Sequence, residues 1–130
     1  MSTTEILWPD LDAVVGSYPE PVTILRNQGT ALKEITGGRL YGEALEGEVS
    51  AADGVQYDFY IGVTDRPFRY LLLSIQCGFL FDYPASIINP VAGTTIKADD
   101  MESFKEQVRF ILISPETKEL LRRMLSFAVR

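Results

Sequence analysis

Alternation of apolar and polar residues is clearest over residues 55–77, VQYDFYIGVTDRPFRYLLLSIQC. Val55, Tyr57, Phe59, Ile61 and Val63 point one way, and Gln56, Asp58, Tyr60 and Gly62 the other. That two-residue period is the mark of a half-buried strand. Residues 69–77 repeat it, with Leu71, Leu73, Ile75 and Cys77 on one face and Tyr70, Leu72, Ser74 and Gln76 on the other. Asp65-Arg66-Pro67 supplies a turn between them. The pattern predicts a hairpin with one face turned to a core.

The flanks read as elements that cover this hairpin. Residues 39–51, RLYGEALEGEVSA, have the composition of a longer strand with poor alternation. Gly42 and Gly47 predict a bulge or strong bend in it, and Asp53-Gly54 a hairpin turn after it. Residues 21–36 predict a helix, with Val22, Leu25, Leu32 and Ile35 as its stripe, Pro21 at the first position and Gly37-Gly38 at the end. Gly29 falls on the same stripe. A helical glycine there costs about 1 kcal/mol relative to alanine, so a strand backbone is expected to pass close by. Before this helix, residues 9–15 predict a short helix ending at Gly16, with Trp8, Leu11, Val14 and Val15 as packing residues.

Downstream, residues 78–84 form a connection, and residues 85–89 and 94–98 predict two short strands around Asn89-Pro90 and Ala92-Gly93. Two helices close the chain. Asp99-x-x-Glu102 resembles a capping box, and Met101, Phe104, Val108, Ile111 and Leu112 follow at helical spacing. Ser114-Pro115 starts the last helix, whose stripe is Leu121, Met124, Leu125 and Ala128. The expected fold is a single α+β domain over residues 1–130. Its antiparallel meander of about four to five strands is flanked by an N-terminal helical segment and two C-terminal helices.

Composition narrows the class without naming a function. Length (130 residues) and apolar content (46%) suit one self-sufficient core. No apolar run is long enough to span a membrane, and the N-terminus lacks the pattern of a signal peptide, so no membrane partner is expected. The lone cysteine, Cys77, fits a reducing cytoplasm. Net charge is −6, and the acidity is uneven: residues 1–68 hold eleven acidic against four basic side chains, residues 69–130 seven against eight. Such a chain repels phosphate backbones and suits a basic protein partner better than nucleic acid.

Histidine is absent, which excludes His-based triads, Cys-His dyads and His metal ligation within the chain. No phosphate-loop or dinucleotide motif occurs, and Gly37-Gly38-Arg39-Leu40-Tyr41-Gly42 leads from helix to strand, the reverse of a phosphate cradle. Cys77 ends an apolar strand face and reads as a buried structural thiol. No cofactor is expected. Glu46 and Glu48 share a strand face by spacing, so a carboxylate pair for Ca²⁺ or acid–base work is a minor reading beside a solvated face.

The residues singled out for partner binding are Glu43, Glu46, Glu48, Asp58, Tyr60, Tyr70 and Leu72. They combine an acidic strand with tyrosines expected on the non-core hairpin face, the composition of an interface centre. Size, acidity and helix–sheet–helix order give the chain a loose resemblance to small bacterial secretion chaperones and toxin-neutralising immunity proteins. A helix interrupts the sheet in secretion chaperones, whereas residues 78–84 read here as a loop. The leading expectation is a non-enzymatic protein-binding module, whose partner is a basic protein or a second copy, as in a homodimer. The alternatives are a structural oligomer subunit and a small-molecule binder or carboxylate enzyme. The latter would use a pocket lined by Phe59, Phe79, Phe81 and Phe104, with Glu43 or Asp58 as base.

Overall fold

The five strands pair strictly in the order in which they occur. The computed structural model describes residues 5, 7–10, 18–50 and 52–128. Its antiparallel sheet comprises β1 (Leu40–Ser50), β2 (Gly54–Val63), β3 (Arg69–Cys77), β4 (Ala85–Asn89) and β5 (Thr94–Ala98). Helices α1 (Glu20–Ile35), α2 (Met101–Leu112) and α3 (Pro115–Ala128) pack on one face of it. This is the expected α+β meander with a helix before it and two after. Of the short helix predicted over 9–15, residues 11–15 lie outside the described residues, and Trp8 is 77% exposed rather than packed.

The core is the covered face. Phe59 registers with Leu73, Tyr57 with Ile75 and Val55 with Cys77, and the row continues through Ile87 and Ala85 of β4. Val22 and Leu25 of α1, Phe104, Val108 and Ile111 of α2, and Met124 of α3 close over it. α1 lies against β1 through two glycines: Gly29 faces the backbone of Gly42, the close approach its sequence position predicts. Ile35 does not join the core. At about 100° per residue, thirteen residues carry it roughly 140° round the helix from Val22.

Local chemistry sets the helix ends. Gly37 and Gly38 adopt φ of +61° and +83°, and Gly38 N–H donates to the Lys33 carbonyl at 2.8 Å. The α2 cap lies one residue later than its sequence suggests. Asp100 Oδ1 accepts from Ser103 N–H at 2.8 Å, and the Asp100 N–H points back to Ser103 Oγ at 3.4 Å. Serine replaces glutamate as the reciprocal partner because its hydroxyl already reaches the cap. Ser114 Oγ caps α3 by accepting from Thr117 N–H at 3.3 Å.

Two bulges determine which way side chains face. In β1, Gly47 and Glu48 together oppose Gln56, since Glu46 pairs with Tyr57 and Val49 with Val55. In β3 the extra residue is Leu72: Phe59 pairs with Leu73, but Tyr60 pairs with Leu71. An inserted residue reverses alternation beyond it. Leu71 therefore joins Tyr60 on the open face, while Tyr70 pairs with Ile61 on the helix-covered side. The simple alternation of residues 69–77 fails at this point.

Candidate functional site

The residues expected to form one acidic, tyrosine-bearing face are divided among several surroundings. Tyr60 lies on the open face, paired with Glu43 of β1. The Arg69 guanidinium sits 4.4 Å from its ring centroid and 3.8 Å from Glu43 Oε1. Asp58 shares that face but is occupied: its Oδ1 accepts from Ser74 Oγ at 2.7 Å and from Gln56 Nε2 at 3.0 Å. Ser74 is 3% exposed, so Asp58 is the anchor of a buried polar group. Gly47 leaves room for it, since a Cβ at Gly47 would stand 2.9 Å from Asp58 Oδ2.

Glu46 and Glu48 do not share a face as their spacing suggests. Glu46 lies opposite Tyr57 on the core side, while Glu48 projects from the bulge. Burial, and then the charge of Glu46, pushes the Tyr57 phenol above its ordinary value. Among the described residues no three acidic or cysteine side chains converge on a point that would hold a metal ion. The pocket expected from Phe59, Phe79, Phe81 and Phe104 is not formed. Phe59 and Phe104 are inside the core, whereas Phe79 and Phe81 stand 60% and 73% exposed on the loop after β3.

Tyr70 and Leu72, displaced by the β3 bulge, line a cleft of about 650 Å³ instead. Its other walls are the turn between β4 and β5 (Asn89, Val91, Ala92) and the junction of α2 with α3, including Phe110, Ile113, Glu116 and Leu120. The surroundings explain the shape. Asn89 Oδ1 accepts from the Val91 and Ala92 amides at 3.1 and 3.2 Å, which holds the turn tip against the opening. Across from it, Thr117 Oγ1 donates to the Ile111 carbonyl at 2.7 Å and fixes the helix junction.

Four large apolar side chains are exposed around this one concavity: Tyr70, Val91, Phe110 and Ile113, the last two 69% and 58% exposed. Glu116 is the one charged side chain among the described residues of the lining. Such a surface could accommodate an apolar body and orient it through one carboxylate. Val91, Phe110 and Ile113 escape the sequence reading, although Phe110 carries a signal. It is an aromatic residue off the Phe104–Val108–Ile111 stripe of its own helix, where a polar residue is expected.

Two further groups are spoken for by the fold. Cys77 is 1% exposed, and burial with Asp82 nearby pushes its thiol up to about 11. Tyr83 donates to Glu20 Oε1 at 2.9 Å and packs edge-on against Phe104, with ring centroids 6.3 Å apart. Burial and that hydrogen bond push its phenol well above the ordinary value.

Comparison of this chain with protein-family models, characterised proteins and solved structures gives no significant match. Its functional reading rests on its own residues.

Proposed function

We propose that this chain is a non-enzymatic protein-binding module whose partner docks in the cleft between β3, the β4–β5 turn and the α2–α3 junction. One observation carries this reading: Tyr70, Val91, Phe110 and Ile113 are exposed together around a single concave surface. Soluble chains seldom leave apolar groups contiguous and open without a use for them. Aromatic side chains in such a patch are the usual anchors of an interface. The excess of acidic groups in residues 1–68, among them Glu43, Glu46, Glu48 and Asp58, would steer a basic partner at long range without being its anchor. Tyr60, held under Arg69 on the open face, lies outside this docking surface. A cytoplasmic setting fits the single buried thiol.

The test compares capture of proteins from the source lysate by immobilised wild-type chain and by Phe110→Glu and Ile113→Glu variants. Both side chains are exposed, so thermal stability should hold while capture of a specific protein is lost. A second copy as partner would appear as concentration-dependent mass in light scattering that both substitutions abolish. Capture and mass unchanged by either substitution would place the interface elsewhere.

A further inference from the structure

The cleft opens onto a gap in the sheet. β3 is nine residues long, yet β4 pairs only with residues 74–77 of it. Asn89 ends β4 by folding the chain back, and its carbonyl accepts from Gly93 N–H at 2.9 Å. Residues 69–72 run on past that point, and among the described residues no strand lies beside them on the β4 side. Those backbone groups of residues 69–72 that do not face β2 therefore have no ladder partner on the β4 side among the described residues. Tyr70 and Leu72 of the same stretch form the apolar wall of the cleft. Val91 of the β4–β5 turn, Phe110 of α2, Ile113 of the helix junction and Glu116 of α3 line the same cleft.

We propose that the cleft binds an extended segment of a partner protein, added as a short strand beside residues 69–72 in the line that β4 vacates. Alternate apolar side chains of that segment seat between Val91 and Ile113, and a lysine or arginine faces Glu116. This inference rests on the protein-binding reading above and specifies its recognition mode. Strand addition needs an unladdered edge for main-chain hydrogen bonds and an apolar surface for every second side chain. Residues 69–72, of which Tyr70 is 39% exposed, border the apolar cleft with no described strand on the β4 side. A helical ligand would bury its apolar stripe in the cleft but leave the edge groups of residues 69–72 unpaired, at a cost in desolvation. The lone carboxylate on an apolar lining selects for a basic residue by charge complementarity.

The probe is a phage-displayed library of random twelve-residue peptides, selected on the full chain. Enriched peptides are then synthesised and titrated by fluorescence anisotropy. Strand addition expects alternating apolar residues with a Lys or Arg in the selected peptides. It also expects an affinity loss of about tenfold on N-methylation at alternate backbone positions, the scale of one lost hydrogen bond. Glu116→Lys should turn the preference towards acidic peptides, with the circular dichroism spectrum unchanged and the melt only slightly lowered by the lost acid in the first turn of α3. Peptides that need Phe110 but tolerate N-methylation, or that carry apolar residues at helical spacing, would overturn strand addition while leaving the docking cleft in place. Peptides that bind Phe110→Glu as well as wild type, or no enrichment at all, would overturn both.

Discussion

The Cα of Gly29 in α1 lies where a side chain on Gly42 of β1 would begin: a Cβ on Gly42 would stand 2.7 Å from it and 2.8 Å from Phe59 Cζ. Helix and strand meet there backbone to backbone, with a core aromatic closing the third side. Gly29→Ala should therefore destabilise the fold by about 1–3 kcal/mol through overpacking, although alanine is the better helix former by about 1 kcal/mol. Urea denaturation reads the sign. A gain in stability would show that α1 shifts freely off β1.

Asp58 and Ser74 should behave as a coupled pair. Asp58→Ala leaves the Ser74 hydroxyl, 3% exposed, without its 2.7 Å acceptor. A loss of about 1–3 kcal/mol is expected, the cost of an unpaired buried polar group. Adding Ser74→Ala should cost much less than it does alone, giving a coupling of about 1 kcal/mol in a double-mutant cycle. Additive losses would mean that the hydrogen bond contributes nothing specific.

The open-face cluster around Tyr60 should contribute little. Arg69 lies 4.4 Å from the Tyr60 ring centroid and 3.8 Å from Glu43, but both charged side chains are near half-exposed. Arg69→Ala should cost below about 1 kcal/mol, and less as salt is raised. A larger, salt-independent loss measured by thermal melts would contradict this.

Alkaline pH should weaken the fold. The Cys77 thiol stands at about 11 in the folded chain against an ordinary 9.0, raised first by burial and then by Asp82. A raised value means that the neutral form is favoured by folding. The contribution is thus intact below pH 9 and lost as pH climbs through about 11. Tyr83, raised by burial and its bond to Glu20, acts with the same sign above its ordinary value of 10.0. Melting temperature should fall across this window, and Cys77→Ala should make the fall shallower. At neutral pH the native thiol should react with a disulfide reagent only as fast as the chain opens.

Most of the fold is written in local pattern. The bounds of β3, β4 and β5 follow directly from alternation and turn residues, and α1 from its proline start and double-glycine stop. The candidate site is less legible, and one residue explains why. Leu72 is as apolar as Leu71 and Leu73, so nothing in the run Tyr70-Leu71-Leu72-Leu73 marks which leucine is the extra one. Pairing with β2 decides it, and that moves Tyr70 and Leu72 from the open face to the cleft. Val91 and Ile113 sit in a turn and at a helix end, where apolar residues carry no period to be read. Their meeting with Phe110 depends on how α2 lies across the sheet.

Neighbour-only strand pairing bears on how this chain is made as well as on what it is. Each strand needs only the one before it, so pairing can advance one hairpin at a time as the polypeptide lengthens. α1, made before the sheet, can cover its β1 side, but the rest of the core face stays open until α2 and α3 arrive. During synthesis a half-built sheet with part of its apolar side open must wait for residues 101–128, and that interval is when the nascent chain is most exposed to aggregation and to chaperones.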